Sequence, residues 1–201
     1  MKRYLLRYIE ENRRGIIIFL GLLLIGLFIG IVSYNFMPQT NKQELINSIK
    51  TVLDMSKQPD FNGIDILKNG LQSNLILISI IILSSLTFIA PVILCLIYIL
   101  KGFALGVYVD ILFSIFGFGN GLLTILLLII IPNILYLPSM LYIGINALNF
   151  HYDISDKSNN SYLAPIVKQC YELCIAMAII ILSMIIEQSL SYVVFSIYAK
   201  I

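Results

Sequence analysis

Lys101, Asp110 and Glu187 each stand inside a long apolar run, and a charge at the centre of a bilayer costs about 2.5 to 3.5 kcal/mol on insertion scales. Residues so placed either pair and hold helices together, or carry a proton or ion. Lys101 with Glu187, or Lys101 with Asp110, supplies the first use. A translocation path needs more polar residues than these runs contain, so pairing is the expected role. Pro132 and Pro138 interrupt a later apolar run and free backbone carbonyls that need new partners. Asn133 is placed to supply one, and broken helices of this kind also line transport pathways. Cys170 and Cys174, spaced i, i+4, share a helix face with His151 not far before them. A metal would need a third and fourth ligand that this region does not offer, so the cysteines are expected to be small packing residues. The chain has one histidine and no serine-nucleophile motif, paired-carboxylate spacing or His-Glu-x-x-His. No catalytic residue, metal or cofactor is expected, and the chain reads as a non-enzyme.

The composition says what must position these groups. At 59% hydrophobic and 12% charged residues the chain falls far from a soluble domain, for which roughly a quarter charged residues is usual. With 201 residues there is room for one helical bundle and no sizeable soluble domain. The net charge of +2 sits mainly on termini and loops, which reports topology and speaks against a nucleic-acid partner. Three cysteines, all in or beside apolar segments, do not make a disulfide framework.

Taken in order, the basic start MKRYLLRYIEENRR leads into an apolar run over 15–36, too long for a cleavable signal peptide and read as a signal anchor with its N-terminus in the cytoplasm. Gly26-x-x-x-Gly30 lies on one of its faces, suited to close helix packing within the bundle or to a homodimer. Residues 37–71 form the one long polar segment. Asn41-x-x-Glu44 has capping-box spacing, and Leu45, Ile49 and Val52 make an apolar face; Phe61 falls in the break that follows. This extracytoplasmic amphipathic segment either lies on the bilayer and caps the bundle or offers a docking surface, with Leu45, Ile49, Val52 and Phe61 as candidate partner-binding residues.

From Asn74 to Phe116 only Lys101 and Asp110 are charged in roughly 43 residues, which as one helix would run about 65 Å, twice the hydrocarbon thickness. The segment must fold back. A turn at Lys101-Gly102 would leave Lys101 at the surface and Asp110 near the centre; a turn at Thr87 to Pro91 puts Pro91 in the first turn of the second helix and Lys101 at mid-membrane. The second is favoured. Gly117 to Gly121 reads as a glycine-rich turn, since a phosphate-binding loop would need a preceding strand and a Lys. The expected architecture is all-α: a polytopic membrane bundle of five transmembrane helices at about 15–36, 72–89, 91–116, 122–149 and 170–199, a cytoplasmic loop at 150–169, and an extracytoplasmic C-terminus.

At Ile99-Leu100-Lys101-Gly102-Phe103-Ala104-Leu105-Gly106, followed by Ile131-Pro132-Asn133-Ile134-Leu135-Tyr136-Leu137-Pro138, the sequence resembles the stage II sporulation protein M family. Gly102 and Gly106 match the family's Gly-x-x-x-Gly element, and Pro132 and Pro138 match the spacing of its paired prolines. Asn133, Ile134 and Tyr136 stand where the wider superfamily has His, Gly and Glu. The resemblance implies a protein of the mother-cell membrane at the sporulation septum, acting as the scaffold for two peptidoglycan-degrading partners, stage II sporulation proteins D and P, in septal thinning and engulfment. The other reading, drawn from Lys101, Asp110, Pro132, Pro138 and Glu187, is a transporter or permease-like subunit. Gly102-x-x-x-Gly106 adds a second stretch through which a homodimer is conceivable.

Overall fold

An apolar segment in hydrocarbon must satisfy its N–H and C=O groups within itself, and a helix is how a single segment does so. In the computed structural model, which describes residues 2–55, 63–87, 89–155, 167, 171, 174–186 and 189–190, the regular structure is accordingly helical. The elements are α1 (Lys2–Glu11), α2 (Arg13–Phe36), α3 (Gln39–Met55), α4 (Gly63–Ser85), α5 (Ala90–Ile125), a π-helical turn (Leu126–Ile130), α6 (Ile131–Ser155) and α7 (Cys174–Ile186). Two stretches, Arg13–Phe36 and Ala90–Tyr152, are long and apolar enough to cross a membrane; Gln72–Ser85 and Cys174–Ile186 are shorter apolar helices. The expected residues Phe61, Cys170 and Glu187 lie outside the described residues, and only the helical backbone is described at Val52.

The most extensive contact joins α2 to α5. Gly26 lies against the carbonyl of Ile99 and Gly30 against that of Phe103, while Gly102 and Gly106 lie against the carbonyls of Leu23 and Leu27. The order of these pairs makes the two helices parallel. Backbones this close leave no room for a side chain, since a Cβ on any of the four glycines would overlap a carbonyl oxygen of the other helix. Both Gly-x-x-x-Gly motifs are therefore spent on each other inside one chain. This is the close packing within the bundle expected as one reading of Gly26-x-x-x-Gly30.

The break between α4 and α5 falls at the second of the two expected places. Ser84 Oγ donates to Ile81 O at 2.8 Å, Ser85 Oγ to Ile82 O at 2.6 Å and Thr87 Oγ1 to Ser84 O at 2.7 Å, closing off the last turn of α4. Pro91 then sits in the first turn of α5, where its missing N–H has no helical partner to lose. Two boundaries differ from expectation. The amphipathic segment expected to extend to residue 71 instead gives way to α4, which runs unbroken from Gly63. Asn41 lies inside α3, which begins at Gln39, so Asn41-x-x-Glu44 is not the helix start.

The expected glycine-rich turn shrinks to one residue. Gly117 takes φ 71°, a left-handed conformation that interrupts α5, and helix resumes directly after it. The chain reverses there: Lys101 meets Tyr136 and Tyr98 meets Met140, so α6 runs antiparallel to α5. α7 presents Ala176, Ile180 and Met184 to the core at a spacing of four.

Candidate functional site

Lys101 is the half-buried cation of α5, one position before Gly102 and level with the glycine crossing of α2. Its Nζ lies 4.4 Å from the centroid of the Tyr136 ring, a cation–π contact from α5 to α6. The Tyr136 hydroxyl donates to Asn74 Oδ1 at 2.7 Å, and Asn74 Nδ2 approaches Met184 Sδ at 3.5 Å. One chain of polar contacts thus ties α5, α6, α4 and α7. Tyr136, Asn74 and Met184 were not foreseen: an aromatic ring or amide in an apolar run has no period that names its partner.

The Lys101–Asp110 pairing does not form. Nine residues of one helix separate them, about 13.5 Å along the axis. Asp110 lies toward the end of α5 where α3 packs, and Ser114 Oγ donates to its backbone oxygen at 2.9 Å while sharing a 3.1 Å hydrogen bond with Tyr34. Lys42 of α3 donates to Asn35 O at 3.1 Å, sits 5.3 Å from the Tyr34 ring centroid, and interacts electrostatically with Asp110. Leu45 and Ile49, on the apolar face of α3, are half-buried.

The prolines are absorbed by local repair. Pro132 is buried, and it follows a π-helical turn, which widens the backbone ahead of a ring that would clash in a regular helix. Ser183 of α7 donates to Pro132 O at 3.0 Å, and Asn133 Nδ2 donates to Ile129 O at 2.7 Å, the structural role expected for Asn133. After Pro138, Ser139 Oγ donates to Leu135 O at 2.8 Å.

A second interhelical centre lies deeper toward the N-terminal end of α5. The wholly buried Tyr98 stacks on Phe19 of α2 with ring centroids 4.4 Å apart and donates to Met140 O of α6 at 2.7 Å. Gly144 makes space for that phenol, since a Cβ there would collide with its oxygen. Of the cysteines, Cys95 is half-buried and Cys174 exposed, and among the described residues no group of His, Cys, Asp and Glu is arranged to hold a metal.

These contacts define a helical protein with membrane-competent apolar helices, locked internally by a glycine seam and by aromatic and polar bridges. The chain matches the family described as Stage II sporulation protein M over residues 18–191, and it belongs to that family, a sporulation-related membrane protein. The match takes in both glycine motifs and both prolines. No curated protein and no solved structure matches the chain.

Proposed function

We propose that the chain is a non-catalytic, five-span scaffold of the mother-cell membrane at the sporulation septum, which recruits and anchors the peptidoglycan hydrolases, stage II sporulation proteins D and P, for septal thinning and engulfment. Family membership over residues 18–191 carries this reading. The chemistry of the chain supports it: the polar groups at Lys101, Tyr136, Pro132 and Tyr98 are engaged in helix-to-helix contacts, the use a rigid anchor makes of them. The same engagement weakens the transporter reading, which needs those groups turned to a pathway.

In this orientation α2 and α5 rise together from the cytoplasmic side, and α3 lies at their outer end with Leu45 and Ile49 half-buried and Gln43, Glu44 and Asn47 exposed. Affinity purification of the tagged chain from sporulating cells in mild detergent should recover both hydrolases. Recovery of an ATPase or a substrate-binding protein in their place would move the function to transport. Replacing Leu45, Ile49 and Val52 together by Asp should cut hydrolase recovery about tenfold or more, the scale of losing one or two buried anchors. Unchanged recovery would remove that face of α3 from the assignment.

A further inference from the structure

Lys101 offers more than an internal contact. Its cation–π contact to Tyr136 covers one side of the ammonium, and among the described residues the only ion pair is Arg7 with Glu11, far from it. Around α5, the glycine face is given to α2 and the face of Leu94 and Tyr98 to the core, while Val92, Leu96 and Leu100, at 66%, 55% and 55% exposure, continue through exposed Ala104 as one stripe with i, i+4 spacing. Lys101 lies about 100° from Leu100 around the helix, between that stripe and the core. The stripe is apolar and ends in a small residue, the surface a second helix packs on most closely.

We infer that the stripe Val92, Leu96, Leu100 and Ala104 docks a transmembrane helix of a partner protein that carries one carboxylate near its middle, and that Lys101 receives that carboxylate. The inference rests on the five-span reading, in which Lys101 lies at mid-bilayer. An ammonium there gains from a carboxylate what water would otherwise supply, and a neutral helix gives it nothing in exchange. The aromatic ring of Tyr136 then serves as a platform that holds the ammonium at the edge of the stripe. A partner anchored by one span with a single Asp or Glu fits this surface; a polar partner segment outside the membrane does not reach it.

The test uses the purified full chain in phosphatidylcholine vesicles with a dye-labelled polyleucine transmembrane peptide bearing one central Glu, and the same peptide with Gln, association being read by energy transfer. The Glu peptide should associate about tenfold more tightly. Lys101→Met should erase that preference, Lys101→Arg should keep it, and Leu100→Trp should weaken both peptides. Equal association of the two peptides with the unaltered chain would overturn the inference, and so would a preference that survives Lys101→Met. A preference that appears only when Glu187 is changed to Gln would overturn it too, by showing that Lys101 is already paired within the chain. Because no hydrolase is present, recruitment of the hydrolases in cells can fail or succeed independently of this result.

Discussion

The α2/α5 seam and the α6 helix solve the same problem in opposite ways. Where α2 and α5 cross, Gly26, Gly30, Gly102 and Gly106 place no side chain of their own between the two parallel backbones, and main-chain atoms meet there directly. In α6, Pro132 and Pro138 take hydrogen-bond donors away, and hydroxyl and amide side chains are added back: Ser183, Asn133 and Ser139 all reach carbonyl oxygens of this region. The first arrangement tolerates no addition. The second is built from several small repairs, any one of which can be lost.

That difference orders the expected effects of substitution. Gly102→Val should be the most damaging, since its Cβ would overlap Leu23 O on a backbone that cannot yield; overpacking costs of about 3 kcal/mol or more predict failure to accumulate folded protein, checked by yield and thermal unfolding in detergent. Tyr98→Phe keeps the stack on Phe19 and loses only the hydrogen bond to Met140 O, so it should cost roughly 1 kcal/mol by chemical unfolding. Ser183→Ala should cost about 0.6 kcal/mol on the same measure, and a loss as large as that of Gly102→Val would show that α6 is as brittle as the seam. Gly21→Ala, in the same helix as Gly26 but with nothing within 4 Å of its Cβ, should leave stability unchanged or slightly raised. If Gly21→Ala is as harmful as Gly26→Ala, close packing is not what the seam glycines provide.

Much of this was legible from residue types. Apolar runs announced the helices, the motif Gly26-x-x-x-Gly30 announced a close contact, and Pro91 marked the start of α5, because each signal acts over a few neighbouring residues. What could not be read was which surfaces meet. Gly26 and Gly102 each say that a backbone comes close, and neither says whose. Lys101 announced that it needed a partner, yet Tyr136 became one through the reversal at Gly117, and Asp110, one of the two expected partners, failed because both charges ride on one helix. Tyr98 was missed altogether: a tyrosine in an apolar run has the same spacing whether its hydroxyl meets a carbonyl or a headgroup. Glu187, Phe61 and the side chain of Val52 lie outside the described residues.

The parallel seam also sets an order of events during synthesis. Its two halves lie roughly 75 residues apart in the chain, and at about 5–20 residues per second α2 waits on the order of 4–15 s before its mate is made. Throughout that interval Gly26 and Gly30 lack the α5 backbone that covers them in the folded chain. Slower translation through α3 and α4 would lengthen the time for which those two glycines stay uncovered.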